Sequence, residues 1–271
     1  MPEGQVSHRN ALRFTRALAG EPVTEVWSTT PRVETLDIAE RLTGDVVARA
    51  EARGKHHLLW FASGRVLHSH LMMSGVWRLL AAGRPVPDGQ LFLAIGTPRW
   101  VAALYRCPNV RLFEPGAPLP PAIAALGPDL LDDGVDPAVA MVAALRRCDP
   151  TRQVGEAVMD QRLVSGIGNV YKSESLFLAG VDPWRAVGSV TEDEALEIGR
   201  IANELLAKGV RQRGRISTYE PPGRPPGMAP SGQKWVYRRQ GHPCRRCGTR
   251  IRSRGQGDAN RTTYWCPGCQ S

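Results

Sequence analysis

Two parts of this chain have residue types and spacings suited to chemistry. The first is the opening Met1-Pro2-Glu3-Gly4. An initiator Met followed by a small residue is normally trimmed, which would leave Pro2 as a free secondary amine beside the Glu3 carboxylate. An N-terminal amine titrates near ~7.7–8.0, so a useful fraction is neutral and nucleophilic at neutral pH. Such amines attack carbonyl carbons and form Schiff bases, and a neighbouring carboxylate can move the protons. The second part is Cys244-x2-Cys247-x18-Cys266-x2-Cys269, four thiols in two CxxC knuckles with zinc-ribbon spacing. Between the knuckles, Arg250, Arg252 and Arg254 alternate with short residues, and Arg261 precedes Thr262-Thr263-Tyr264-Trp265. That alternation predicts a β-hairpin carrying guanidinium groups along one face, suited to phosphate contacts.

Composition sets the frame for these groups. The 271 residues carry a net charge of +9, with 42% hydrophobic and 23% charged residues. This is ordinary for a globular protein and long enough for more than one domain. The charge is not evenly spread. Residues 211–261 hold 13 Arg and Lys against Glu220 and Asp258, a local +11 that leaves the remainder at −2. A one-sign excess confined to one segment points to a polyanion-binding face. No run of about 18 apolar residues exists to span a membrane, and the polar start argues against a secretory signal. Six cysteines in such a chain favour metal ligation over disulfides, and Cys107 and Cys148 are expected as reduced, buried thiols.

The elements that must position these groups follow from periodicity and punctuation. Residues 4–19 predict a helix with Val6, Leu12, Phe14 and Leu18 on its apolar face, stopping at Gly20. Short apolar runs at 45–53, 57–62, 65–71, 76–80 and 91–95 predict an antiparallel β-sandwich, with a hairpin turn at Ala62-Ser63-Gly64-Arg65. Pro115 to Pro121 is a linker. Beyond residue 128 the pattern is helical: Asp136-Pro137 opens one helix, Asp149-Pro150 another over roughly 151–163, and Ser165-Gly166-Ile167-Gly168-Asn169 breaks it before a helix near 170–178. Thr191 and Glu194 form a capping box for a helix near 192–208. Residues 221–232, eight of them Pro or Gly, predict a mobile loop.

Several further motifs carry weaker signals. Lys55, after Gly54 at a predicted strand start, is by default a solvated edge residue. His56 and His57 are adjacent on a predicted strand, face opposite ways and make a poor ligand set. Met72 and Met73, followed by Ser74-Gly75, fall at a predicted turn, where they either pack into the core or stand out as wedges between bases. The glycine turn ending in Asn169 is either a capped helix start or a phosphate-binding one.

Taken together and in order, the motifs resemble the formamidopyrimidine-DNA glycosylase and endonuclease VIII family. They are Met1-Pro2-Glu3-Gly4, Gly54-Lys55, His70 through Gly75, Leu126-Gly127-Pro128-Asp129-Leu130-Leu131, Asp160-Gln161 through Gly168-Asn169, and the ribbon ending Tyr264-Trp265-Cys266-Pro267-Gly268-Cys269-Gln270. The MPEG opening is closer to the endonuclease VIII branch, which prefers oxidised pyrimidines. Met73-Ser74-Gly75 is closer to the formamidopyrimidine branch, whose hallmark substrates are oxidised purines.

The resemblance implies an α+β fold: an N-terminal β-sandwich domain over 1–121, a helical domain with a helix–two-turn–helix over 122–232, and a zinc finger over 233–271. It implies a bifunctional glycosylase and abasic-site lyase working through a Schiff base on Pro2, with Glu3 as proton shuttle and Lys55 and Arg261 at the reacting nucleotide. Met72, Met73, Ser74, Asn169 and Lys172 join Lys55 and Arg261 as expected DNA contacts. Cys244, Cys247, Cys266 and Cys269 would hold one structural Zn2+. The expected partner is damaged DNA, double- or single-stranded, bound by a monomer in a bacterial-type cytoplasm and nucleoid. One departure stands out: many relatives have an acid at position 6, where this chain has Val6.

Overall fold

The computed structural model describes residues 2–29, 33–212, 216–223, 228 and 231–271. Met1 lies outside the described residues, as does part of the Pro- and Gly-rich stretch 221–232. The chain divides into two compact units, Met1–Ala124 and Ala125–Ser271.

The first unit opens with helix α1 (Gly4–Leu18) and continues with β1 (Glu25–Trp27) and α2 (Val33–Leu42). Seven strands follow: β2 (Val47–Arg53), β3 (His56–Phe61), β4 (Val66–His70), β5 (Val76–Ala81), β6 (Leu91–Gly96), β7 (Trp100–Tyr105) and β8 (Val110–Phe113). A short helix, α3 (Pro121–Ala124), ends the unit. The strands form two antiparallel four-stranded sheets, ordered β1-β6-β7-β5 and β2-β3-β4-β8. Apolar side chains from both sheets and from α1, among them Phe14, Leu18, Leu59, Leu67, Ile95 and Leu104, form the core. Phe14 meets the edge of Trp77 at 5.3 Å between centroids, a favoured aromatic geometry.

The turn at residues 62–65 closes on the Phe61 N–H bond to the Arg65 carbonyl at 3.0 Å. Helix α1 departs from its predicted apolar face. Leu12 is 51% exposed, whereas Gln5, Ser7 and Asn10 are buried with Phe14 and Leu18. Cys107 is fully buried, and burial pushes its thiol up to about 11; Cys148 is only half-buried.

The second unit contains α4 (Pro137–Arg146), α5 (Val154–Ala157), α6 (Asn169–Ala179), α7 (Glu192–Arg211) and the hairpin β9 (Arg252–Gln256) to β10 (Arg261–Trp265). The Asp136 carboxylate caps α4 by accepting the Ala138 and Val139 N–H groups. The Thr191 hydroxyl and Glu194 carboxylate complete the capping box of α7. Met141, Val158, Ile167, Tyr171, Ile198 and Leu206 lie in the core of this unit.

The helix expected over 151–163 is shortened to α5. Side-chain hydrogen bonds outcompete the helical ladder here. Asp160 accepts the Arg162 N–H at 3.0 Å and pairs with Arg152 at 2.9 Å, while the Gln161 amide donates to the Met159 and Ile167 carbonyls, each at 2.8 Å. Two turns therefore link α5 to α6. They pair with the Leu126–Leu131 motif: the Ser165 N–H reaches the Pro128 carbonyl at 2.9 Å and the Gly127 N–H the Gln161 carbonyl at 2.9 Å. A Cβ on Gly127 would lie 2.3 Å from the Leu163 carbonyl oxygen, so only glycine fits there.

Candidate active site and nucleic-acid interface

In the first unit, Glu3 has no solvent exposure and Pro2 is half-buried. Glu3 stands at the N-cap of α1 with extended φ and ψ of −126° and −177°. Its own carbonyl accepts the Val6 N–H at 2.9 Å. The helix thus begins immediately after the two candidate catalytic residues and fixes the backbone of Glu3.

Lys55 lies in the turn between β2 and β3. The link from β4 to β5 presents Met72 and Met73 at 53% and 57% exposure, with Ser74 exposed beside them. The two methionines therefore stand out of the core. Leu71, by contrast, is buried and anchors the turn. The Gly75 N–H closes it on the Leu71 carbonyl at 2.8 Å, and a Cβ at Gly75 would lie 2.6 Å from that oxygen. The Arg106 Nε donates to the Ser74 carbonyl at 3.1 Å. Met72 itself takes a left-handed φ of 51°.

Beneath this turn is a histidine cluster that sequence spacing did not reveal, because its members come from two strands. In the β3–β4 register His56 faces His70 and Leu58 faces His68. The His56 Nδ1 and His68 Nε2 are 2.9 Å apart, sharing one proton between them. Burial, then the neighbouring imidazoles, push His56 to about 3; burial, then His70 and Arg111, push His68 to about 4. His57 lies on the opposite face of β3, fully buried, and is likewise held near 3 by burial and then by His70. All three are neutral at pH 7. Among the described residues, no metal-ligating arrangement includes them.

In the second unit, Asn169 is the first residue of α6 and is buried. Gly168, not Asn169, occupies the N-cap position. The Asn169 Nδ2 instead donates to the Thr262 carbonyl at 2.8 Å, next to Arg261. The strand register puts Arg261, Thr263 and Trp265 on one face with Gln256, Arg254 and Arg252. Arg254 stacks over Trp184 at 3.8 Å from the ring centroid.

Lys172 does not fit the expectation of a DNA contact. It has no exposure, and its Nζ donates to the Thr263 Oγ1 at 2.7 Å. Thr263 passes the chain to the Gln256 Oε1 at 2.8 Å, and Gln256 to the Gln153 Oε1 at 2.9 Å. Lys172 is therefore a buried brace between α6 and the hairpin, since a lysine needs partners to be buried at all.

Glu174, on the same helix, was not singled out from sequence. It is fully buried and accepts the N–H groups of Trp235, Val236 and Tyr237 at 2.8, 2.9 and 2.8 Å, together with the Thr218 hydroxyl. Three successive amides on one carboxylate fix the entry to the finger.

The four cysteine sulfurs lie within 4.8 Å of one another. Cys247 and Cys266 are 3.4 Å apart, and Cys244 and Cys269 3.9 Å. A Zn–S bond of about 2.3 Å gives tetrahedral sulfur separations of about 3.8 Å, so the set fits one zinc ion. The Gly248 N–H reaches the Cys244 carbonyl at 3.0 Å, forming the tight knuckle such a site requires. All four positions are ligands and no place is left for water, which makes the zinc structural.

The sequence matches three family descriptions in order. These are the Formamidopyrimidine-DNA glycosylase N-terminal domain over residues 1–102, the Formamidopyrimidine-DNA glycosylase H2TH domain over 126–220, and the zinc finger found in FPG and IleRS over 241–271. The chain is 41% identical over 277 residues to a probable endonuclease 8 2 of Streptomyces coelicolor, covering 100% of this chain and 94% of that one. It is 30% identical over 275 residues to endonuclease 8 of Escherichia coli, with 100% of both covered. Among solved structures, a Lactococcus lactis FPG mutant complexed with Fapy-dG containing DNA superposes with a TM-score of 0.81 at 23% identity over 100% of both chains. The MutM (FPG) protein of Thermus thermophilus superposes with a TM-score of 0.77 at 26% identity, covering 99% of this chain and 98% of that one. The chain therefore belongs to the formamidopyrimidine-DNA glycosylase family, and relatives that match it from end to end bear the name endonuclease 8.

Proposed function

We propose that this protein is a bifunctional DNA glycosylase and abasic-site lyase of base-excision repair, acting as a monomer on oxidised bases, pyrimidines foremost. The observation that carries the reading is the fully buried Glu3 carboxylate one residue after a half-buried Pro2 at the start of α1. A carboxylate is withdrawn from water only where it has work or partners.

Removal of Met1 frees the Pro2 nitrogen. The target nucleotide leaves the stack, because its C1′ is unreachable inside a duplex, and Met72 and Met73 enter the vacated space beside Ser74. The Pro2 nitrogen lone pair forms a bond to C1′ while the C1′–base bond breaks and the base departs with its electron pair. The Glu3 carboxylate takes the proton that the Pro2 nitrogen gives up on bonding and delivers it to the ring oxygen as the C1′–oxygen bond breaks and the sugar opens, leaving an iminium between Pro2 and C1′. That cation acidifies the C2′ proton. Its loss expels the 3′ phosphate by β-elimination, and a second elimination expels the 5′ phosphate. Lys55 in the first unit, and Asn169 with Arg261 in the second, contact DNA phosphates. The zinc supplies no chemistry; it folds the finger that carries Arg261.

The endonuclease 8 relatives and the MPEG opening favour oxidised pyrimidines. The bacterial relatives favour a cytoplasmic setting on chromosomal DNA, and no helix among the described residues is long and apolar enough to cross a membrane. The test is a nicking panel of duplex and single-stranded oligonucleotides carrying thymine glycol, 5-hydroxycytosine, 8-oxoguanine or an abasic site. Cleavage of the first two in duplex, ahead of 8-oxoguanine, is expected. A protein that binds but cleaves none of them has no such activity.

A further inference from the structure

We propose that His70 is a positioning residue for the Met72–Met73 turn, its imidazole Nδ1 accepting the Met72 backbone N–H and so holding both thioethers outward. The inference rests on the reading of those methionines as a wedge. The Met72 nitrogen lies 3.2 Å from the His70 Nδ1, and the Met72 φ of 51° is one that L-residues adopt only when something holds them there. His70 is itself fixed. Its N–H donates to the Asn109 carbonyl at 3.1 Å, its carbonyl accepts the Cys107 thiol at 3.1 Å, and its ring packs on His56 at 4.7 Å.

The hold requires a neutral ring with its proton on Nε2. The groups around it favour that state. Lys55 in the β2–β3 turn, His56 and His57 on β3, and His68 on β4 surround it, with Arg111 of β8 facing His68 and the Cys107 thiol behind. None of these groups is an acid. Burial first, and the Lys55 ammonium second, push His70 below the ordinary 6.5. A proton arriving on Nδ1 would oppose the Met72 N–H and turn to the Met72 Sδ, which lies 3.0 Å away. Met72 would then lose its backbone anchor, while the Gly75–Leu71 bond still closes the turn.

Asparagine at position 70 separates the hold from the titration. Its side-chain oxygen can accept the N–H two residues on, as in an Asx-turn, and it does not titrate. In single-turnover excision from a thymine-glycol duplex near neutral pH, His70→Leu is expected to be slowed about tenfold, equivalent to about 1.4 kcal/mol. Its cleavage of a single-stranded abasic oligonucleotide, which has no stack to wedge, stays within about twofold of the parent. His70→Asn is expected to retain most of the duplex rate and to lose the parent's decline below its histidine titration. The free protein supplies a second readout: the Met72 methyl resonance should shift with acid in the parent and not in His70→Asn. Equal duplex rates for His70→Leu and the parent would overturn the proposal. So would equal losses on duplex and single strand, or a Met72 resonance that titrates unchanged in His70→Asn. If the parent excises nothing, the enzymatic reading fails, and the methyl titration still decides the hold.

Discussion

Asn169 reaches from the first turn of α6 to the Thr262 carbonyl at 2.8 Å, so the helix that begins with Asn169 braces the strand that begins with Arg261. The amide carries a second N–H beyond the one given to Thr262, which leaves it able to donate to a phosphate. On the proposed reading, Arg261 brings the charge and Asn169 the geometry. Arg261→Ala should weaken DNA binding and flatten the dependence of log affinity on log salt by about one. Asn169→Ala should weaken binding with the slope unchanged, because no charge is lost. Salt titrations of both variants by fluorescence anisotropy check the pair.

Lys172 should behave in the opposite way. Its ammonium is buried on Thr263 within the chain that continues through Gln256 to Gln153. Lys172→Met leaves buried acceptors without their donor, a loss of about 1–3 kcal/mol. Thermal unfolding should show a lower midpoint, while the salt slope of the folded variant stays at the parent value.

Stripping the zinc should unfold the finger, since four thiolates gathered within 4.8 Å repel one another without a cation between them. A chelator that removes one equivalent of zinc should abolish DNA binding. Circular dichroism should lose the hairpin signal while the β-sandwich signal persists.

Much of the scaffold was legible in the sequence. The capping box of α7, the Asp136–Pro137 opening of α4 and the four-cysteine pattern are local rules, and each is met in the structure. Three kinds of feature were hidden. Helix α2 lies among strands and was absorbed into the β pattern. The helix expected over 151–163 was cut short by Asp160 and Gln161 side chains that compete with the backbone, which periodicity does not see. The partners of Glu174, Lys172 and His70 lie far off in sequence or on a neighbouring turn, so burial and pairing emerge only in three dimensions. Lys172 shows the cost of transferring a role by position alone: its place after Asn169 suggested a DNA contact, and its burial on Thr263 makes it a brace.

Acid should destabilise the β-sandwich unit before carboxylate titration begins. His56, His57 and His68 remain neutral in the folded protein down to about 3, 3 and 4, but take up protons near 6.5 when unfolded. The unfolded chain therefore binds more protons from about pH 6.5 downward, and stability falls as pH falls through that window. The melting midpoint should drop between neutral pH and about pH 5. Replacing His57, whose Nε2 has no hydrogen-bond partner among the described residues, with Leu should shrink that drop.

The proposed chemistry turns on a bond between the Pro2 nitrogen and a deoxyribose carbon. Borohydride reduction of the enzyme on abasic-site DNA, followed by peptide mass spectrometry of the adduct, addresses it directly. A Schiff base on Pro2 gives a chain lacking Met1 with the sugar mass on Pro2, and no adduct from an N-terminally blocked protein. An active enzyme that keeps Met1, or an adduct on a lysine, would contradict it.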